Sequence, residues 1–235
     1  MAAPTRARSR MLGRLLRNLS GPVKPAAGPA APASDKPVES RVFLNVGGGD
    51  RNIPVPPHFA GWRHELLDIA ARTGVDVVCD ARALDTFTAG RYDAIYCSHN
   101  LEHYYRHEVP HVLRGFVHVL KPGGFAEIRV PDIGALLRQL GERGADLDDP
   151  AYESPSGPVS AHDMLWGYGP ELERSGENHY AHKCGFTRAT LTRLLGNAGF
   201  GQLYFLLPLS ALELHVAAFL RPPKPAQLVL LGVSA

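Results

Sequence analysis

A glycine-rich turn directly after an apolar strand constrains the fold of this chain most strongly. Residues 41–50 read RVFLNVGGGD, and the apolar run is short and rich in β-branched and aromatic residues, which is typical of a strand buried on both faces. Gly47, Gly48 and Gly49 allow the backbone to turn sharply and to approach a ligand, because they carry no side chain. A plain tight turn would use the same residues, so the interpretation depends on the segments C-terminal to the turn.

Strand-like and helix-like segments alternate along the rest of the chain. Short apolar runs predict strands at residues 63–69, 75–79, 92–98, 125–130, 201–207 and 212–220. Apolar residues at helical spacing and capping signals predict helices at residues 108–120, 133–140 and 188–199. The run KPGG at residues 121–124 is predicted to end the first helix as a turn. The alternation indicates an α/β fold with a largely parallel sheet.

Several polar residues come directly after predicted strands, at the edge where ligands bind. Asp68 ends the second strand about twenty residues after the glycines, Asp80 follows the third, and residues 98–103 follow the fourth. In a parallel sheet, ligands gather outside the carboxyl ends of the strands. The turn and these residues therefore predict one cofactor site.

Composition and charge limit the kinds of function that this chain can have. The formal net charge is only +2, which gives no reason to expect a nucleic-acid partner. Three widely spaced cysteines without a CxxC pair indicate a reducing compartment, and no apolar run reaches the roughly 20 residues of a membrane span. We therefore expect a cytoplasmic protein.

The two ends of the chain differ from its middle. Residues 1–20 are basic and amphipathic, and the next residues are rich in proline and alanine, so residues 1–38 are predicted to be either a tail of no consequence or a segment that binds an anionic membrane surface from the inside. The folded domain is expected at residues 39–221, with residues 141–186 as a lid over its ligand site. Residues 222–235 are expected to form a C-terminal tail.

The motifs LNVGGGD, LLDI, VVCDAR, YDAIYCSHNLEHY and LKPGGFAEIRVPD resemble the class I S-adenosylmethionine-dependent methyltransferases, in the branch often called methyltransferase type 11. The resemblance covers residues 41–220. It implies a Rossmann-like sheet of seven mostly parallel strands, with helices on both faces and an antiparallel last strand. It also implies methyl transfer from S-adenosylmethionine, with a small-molecule or glycan acceptor and an O-methylation as our expectation.

The resemblance also implies roles for individual residues. The backbone of Gly47, Gly48 and Gly49, with Asn45 behind it, would contact the methionine part of the cofactor. Asp68 and Ile69 would hold the ribose, Asp80 and Ala81 the adenine, while Ser98 and His99 would flank the sulfonium. Asn45 stands where the family often has an acidic residue, and prolines replace the usual first helix, so no helix N-terminus is available for the cofactor carboxylate.

A hydroxyl acceptor would benefit from a general base, and histidine titrates in the appropriate range. His103 is our first candidate and His99 the second, because both come after the fourth strand. Histidines 162, 179 and 182 lie in the predicted lid.

Three alternatives remain open at this stage. Residues 99–103, HNLEH, match the H-x-x-E-H pattern of a zinc peptidase family, but zinc binding there requires one continuous helix, so we expect no metal. A nicotinamide-dependent oxidoreductase would need a G-x-G-x-x-G spacing, which the turn lacks because Asn52 stands at its last position. A methyltransferase-like domain that binds the cofactor without turnover is the third.

Overall fold

The computed structural model of the chain describes residues 40–154 and 157–233. Its strands are β1 (Val42–Val46), β2 (Arg63–Asp68), β3 (Val77–Val78), β4 (Tyr92–Ser98), β5 (Leu120–Pro131), β6 (Pro150–Ser154), β7 (Gly157–Ser160), β8 (Gln202–Phe205) and β9 (Glu213–Phe219). Its α-helices are α1 (Val109–Val119), α2 (Ile133–Arg143), α3 (Ala161–Trp166), α4 (Gly169–Ser175), α5 (Arg188–Ala198) and α6 (Pro225–Leu230). The predicted basic segment, residues 1–38, lies outside the described residues.

Seven strands form one sheet in the order β3-β2-β1-β4-β5-β9-β8. The first five strands in this order, β3, β2, β1, β4 and β5, pair in parallel with their neighbours. Strand β9 is antiparallel to both β5 and β8. The sheet order places the carboxyl ends of β1, β2 and β4 side by side. The predicted fold class, a mostly parallel sheet with an antiparallel last strand, is confirmed.

The central strands are buried on both faces, as their apolar runs predicted. In β1, Leu44 packs on one face with the buried residues of α1 and α5, while Phe43 packs on the other. That second face is covered by a 3-10 turn at Pro57–Phe59 and by the last described segment, of which Leu231 is buried. The prolines after the glycine turn therefore give a single 3-10 turn instead of a first helix.

Helix caps agree with the sequence signals. The Asp132 carboxylate accepts a hydrogen bond from the Ala135 backbone and starts α2, and the Thr187 hydroxyl accepts one from the Thr190 backbone and starts α5. Helix α5 ends at Gly199 in the left-handed conformation.

The predicted start of β5 was wrong. The KPGG run does not form a turn after α1 but belongs to β5, which begins at Leu120. An irregularity in the pairing with β4 absorbs the extra length, and a Cβ at Gly124 would lie 2.9 Å from the Asp93 carbonyl oxygen, so glycine permits this close approach. The region after residue 221 also contains α6, rather than tail alone.

Residues 141–186, the predicted lid, contain a two-stranded hairpin of β6 and β7, with α3 and α4 after it. Buried residues of this hairpin and of α3 pack against Leu136 of α2 and against Leu212 before β9. No helix within residues 40–154 and 157–233 is long and apolar enough to cross a membrane.

Candidate active site

The glycine turn lies tightly against two asparagines. Gly47 and Gly49 have φ angles of 68° and 66°, in the left-handed region that favours glycine. A Cβ at Gly47 would lie 2.0 Å from Nδ2 of Asn100, and one at Gly48 would lie 2.3 Å from Nδ2 of Asn45. Gly47 and Gly48 therefore have no room for side chains.

Asp68 ends β2 beside this turn and is buried. One carboxylate oxygen accepts a hydrogen bond from the Gly49 backbone N–H at 3.1 Å, and the other accepts from the Ala70 backbone N–H at 2.9 Å. Each carboxylate oxygen has two acceptor sites, so both can still accept a further donor. This geometry fits a carboxylate that receives two vicinal hydroxyls.

Asp80 caps the 3-10 turn at Ala81–Thr86 and is tied to Arg82. Its carboxylate accepts from the Arg82 backbone at 2.9 Å and from the guanidinium at 2.7 and 3.0 Å. Burial disfavours the charged carboxylate, but these bonds outweigh it and hold the pKa of Asp80 below its ordinary value. The side chain of Ala81 is fully buried in the core.

A first cavity of about 420 Å³ runs along the carboxyl edge of the sheet. Seven of the predicted site residues line it, namely Gly47, Gly49, Asp68, Ile69, Asp80, His99 and His103. The other four, Asn45, Gly48, Ala81 and Ser98, do not line it. Asn45 is buried behind the turn, and Ser98 is the last residue of β4.

The first cavity also has basic and aromatic residues to which the sequence analysis assigned no role. Arg72 donates to the Tyr180 hydroxyl at 2.5 Å, and the Lys183 ammonium lies 5.5 Å from the centre of the Tyr105 ring. All four line the cavity. Tyr180 and Lys183 come from the predicted lid, which therefore contributes to this cavity.

His99 comes directly after β4 with a φ of 47°, which is uncommon for a residue other than glycine and frequent at functional sites. Its Nε2 lies 3.0 Å from a carboxylate oxygen of Glu213, and its Nδ1 lies 3.4 Å from one of Glu102. Desolvation opposes the charged imidazole, although 49% of the side chain is exposed, but the two carboxylates outweigh this effect and raise the pKa of His99 to about 10. His99 is thus an imidazolium at neutral pH, which disagrees with its predicted role as a base.

A second cavity of about 610 Å³ adjoins the first, and His99 lines both. Its lining includes four carboxylates, Glu102, Glu153, Asp163 and Glu213, and it extends to the lid residues of β6 and α3. A cavity with this many acceptors suits a ligand that carries several hydrogen-bond donors.

His103 and His182 share one hydrogen-bonding pattern. Nδ1 of His103 lies 3.1 Å from the Ala181 carbonyl oxygen, and Nδ1 of His182 lies 2.9 Å from that of Met164. Since a carbonyl oxygen only accepts, both Nδ1 atoms carry the proton, and a neutral ring then has its lone pair on Nε2. Burial lowers the pKa of His103, so it is neutral at neutral pH and can accept a proton.

The HNLEH motif does not lie on one helix. His99 comes directly after β4, residues 101–103 form a 3-10 turn, and α1 begins only at Val109. The arrangement of a zinc peptidase is therefore absent from this segment of the described chain. Glu102 and His103 instead meet His182 of the lid, and one potential ligand atom from each of the three lies within 4.8 Å of the others. The expectation of no metal stays a prediction.

Sequence reasoning missed Asn100 and Glu213. Asn100 lines the first cavity, and its Oδ1 is buried without a hydrogen-bond partner among the described residues. It stands inside the quoted motif, which was the available signal. Glu213, at the start of β9, reaches His99 only because β9 inserts beside β5, and no local signal indicates this.

A comparison with models of protein families identifies the family of this chain. Residues 12–203 match the model of a family described as "Methyltransferase domain". The chain belongs to this methyltransferase family. The predicted identity as a class I S-adenosylmethionine-dependent methyltransferase, with S-adenosylmethionine as its cofactor, is confirmed. The matched family is one of methyltransferases and not of nicotinamide-dependent oxidoreductases.

Solved structures are similar to this chain at low sequence identity. The CMeT domain of the citrinin polyketide synthase is 12% identical, with 79% of this chain and 48% of that chain covered and a TM-score of 0.50. A SAM-dependent methyltransferase from Archaeoglobus fulgidus is 14% identical, with coverage of 77% and 86% and a TM-score of 0.47. The 1,6-didemethyltoxoflavin-N1-methyltransferase of Burkholderia thailandensis, solved with S-adenosylhomocysteine, is 16% identical, with coverage of 76% and 69% and a TM-score of 0.41. A search of curated proteins gives no match.

Proposed function

We propose that this methyltransferase holds S-adenosylmethionine in the first cavity and transfers its methyl group to a hydroxyl of a small polar acceptor in the second cavity. The acceptor is a small molecule or a glycan. The observation that carries the proposal is the position of His99, which lines both cavities. Methyl transfer is an in-line displacement, so donor and acceptor must meet at one boundary.

The cofactor is proposed to lie along the carboxyl edge of the sheet. The backbone of residues 47–49, with Asn45 behind it, contacts the methionine part, and Asp68 with Ile69 holds the ribose. Asp80 and Ala81 bound the adenine, with the Asp80 carboxylate shared with Arg82. The free acceptor sites of Asp68 and the tight glycine turn support this assignment.

The acceptor is proposed to lie among the carboxylates of the second cavity. Hydroxyl groups of a polyol or glycan donate to such carboxylates, and charge-assisted bonds of this kind orient a ligand strongly. Ser98 and His99 flank the sulfonium, with protonated His99 as a hydrogen-bond donor to the acceptor oxygen. His103 is the proposed proton acceptor, since its neutral imidazole carries the lone pair on Nε2.

A matched pair of aspartate variants tests the cofactor site. We expect Asp68→Asn to weaken S-adenosylhomocysteine binding in calorimetry about tenfold or more, because hydrogen bonds to a charged group contribute roughly 1.5–3 kcal/mol each. Asp50→Asn is the control, because Asp50 is exposed in the same turn and does not line the cavity. Equal affinity of the two variants would refute the role of Asp68.

The acceptor is tested with radiolabelled methyl donor and a panel of sugars, polyols and amines. We expect label on an oxygen of a polar hydroxyl compound. Label on nitrogen would refute the O-methylation, and cofactor binding without transfer to any compound would favour the non-catalytic alternative. His103→Ala should lower kcat more than it raises KM, and unchanged turnover would refute its role as the base.

A membrane surface is the proposed location of the basic N-terminal segment, residues 1–20. Its arginines and apolar residues at helical spacing support contact with anionic lipid. Deleting residues 1–38 should abolish co-sedimentation with anionic liposomes while methyl transfer is retained. Unchanged co-sedimentation would refute the contact.

A further inference from the structure

The Glu102 carboxylate is almost fully buried and has an ion-pair neighbour, His99, but no hydrogen bond among the described residues. Its exposed fraction is 1%, and neither carboxylate oxygen has a hydrogen-bond partner among the described residues. Nδ1 of His99 lies 3.4 Å from Oε1, but this contact lacks hydrogen-bond geometry, and the Nε2 of the same ring is paired with Glu213. A buried carboxylate is costly unless it is hydrogen-bonded or coordinates a cation.

The two neighbouring histidines are oriented as metal ligands usually are. His103 and His182 each donate Nδ1–H to a backbone carbonyl, which fixes the ring and leaves Nε2 for a ligand bond. Their rings are nearly perpendicular, at 67°, with centres 5.0 Å apart. The two imidazoles therefore lie close together and beside the buried Glu102 carboxylate.

We propose that Glu102, His103 and His182 bind a divalent transition-metal ion in the wall between the two cavities. One potential ligand atom from each residue lies within 4.8 Å of the others, and the ligands of a zinc ion lie at roughly 2.0–2.2 Å from it. Two imidazoles and one glutamate form the ligand set of several catalytic zinc sites and leave positions open. Imidazole donors favour zinc-like ions over magnesium.

The ion would lie where it could assist methyl transfer, and this step of the inference rests on the proposed function. His103 lines the first cavity, whereas Glu102 and His182 line the second, so the ion borders both donor and acceptor. An acceptor hydroxyl bound to the ion would lose its proton more easily. An ion bound to Nε2 of His103 would leave that nitrogen unable to accept a proton, so the proton of the bound hydroxyl would pass instead to a carboxylate of the second cavity such as Glu153.

Metal content tests the site without an activity assay. Full-length protein is stripped with a chelator, dialysed against zinc chloride, and analysed by elemental mass spectrometry. We expect one equivalent of zinc, at least tenfold weaker zinc binding in Glu102→Gln and in His182→Ala, and no comparable binding of magnesium. His182→Gln serves as a second variant if the alanine variant does not fold. His107→Ala is the control, because this histidine is exposed and stacks on Tyr105, and it should retain the equivalent.

Calorimetry with S-adenosylhomocysteine separates this proposal from the proposed function. Stripped protein that binds the nucleoside but no stoichiometric zinc would overturn the metal site and leave the cofactor site intact. Zinc that binds equally to the native chain, Glu102→Gln and His182→Ala would overturn it as well, since the ion would then lie elsewhere. Zinc binding without any nucleoside binding would uphold the metal site and refute the cofactor assignment.

Discussion

Replacing Gly47 with alanine tests the glycine turn, because two separate costs meet at this residue. Its φ of 68° lies in the left-handed region, where an L-residue costs about 1–2 kcal/mol. Alanine also reduces the conformational freedom of the unfolded chain, which offsets about 0.4–1 kcal/mol of this cost. The backbone conformation alone should therefore lower the free energy of unfolding by about 1 kcal/mol.

The second cost arises from Asn100. A Cβ at Gly47 would lie 2.0 Å from Nδ2, 2.5 Å from Cγ and 3.0 Å from Cβ of Asn100, so the whole side chain must move. Overpacking of this kind costs about 1–3 kcal/mol. We expect Gly47→Ala to lower the free energy of unfolding by about 2–4 kcal/mol in total. It should also weaken S-adenosylhomocysteine binding, because Asn100 lines the first cavity.

Gly90→Ala is the matched control. Gly90 has a φ of 66°, and no heavy atom of the described residues lies within 4 Å of a Cβ placed there. Urea unfolding measures the free energy of both variants, and calorimetry measures nucleoside binding. Only Gly47→Ala should show the additional loss and the weaker binding. If the two variants lose the same stability and bind equally, the close approach of Asn100 to the turn is refuted.

Two further predictions concern buried charges. Glu213→Gln should lower the pKa of His99 from about 10, because one of the two carboxylates that stabilise the imidazolium is removed. The control variant Glu153→Gln should leave this pKa unchanged. An NMR titration of the His99 ring measures the pKa in both variants, and an unchanged pKa in Glu213→Gln would contradict the pairing. Burial opposes the charge of Glu127, but hydrogen bonds from two histidines, one of them His215, outweigh it and hold its pKa below its ordinary 4.5. A carboxyl pKa depressed by folding adds stability above the unfolded-state pKa, so the stability advantage over Glu127→Gln should be present at neutral pH and should vanish as the pH falls below 4.5. Chemical unfolding across this range checks it, and a constant difference would argue against the linkage.

The parallel half of the sheet was predictable because its signals are local. Strand β4 has the predicted bounds, Tyr92–Ser98, since an apolar run buried on both faces is short and bounded by polar residues. The start of β5 was not predictable, because Pro122 and two glycines suggest a turn unless the pairing partner is known. Only the irregular pairing with β4 makes room for them in a strand.

The site was half predictable for the same reason. Asp68 and Asp80 lie at the ends of strands, so the general rule for parallel sheets already places them at one edge. His99 also comes directly after a strand, but its protonation depends on Glu213, which is 114 residues away in sequence. His182 comes from the lid, whose weak periodicity gave no indication of where its side chains would meet the sheet.

Charged side chains surround His99, which lies at the boundary between the two cavities. Arg129 lies 3.4 Å from Glu213, which in turn contacts His99, and His99 contacts Glu102, so positive and negative groups alternate along this wall. Methyl transfer moves positive charge from the cofactor sulfur to a neutral acceptor atom. Under the proposed function, carboxylates on the acceptor side would stabilise that charge until the proton leaves, and Glu213 would act most strongly because it is buried. For a hydroxyl that attacks before it loses its proton, Glu213 would therefore take part in the reaction as well as in substrate binding.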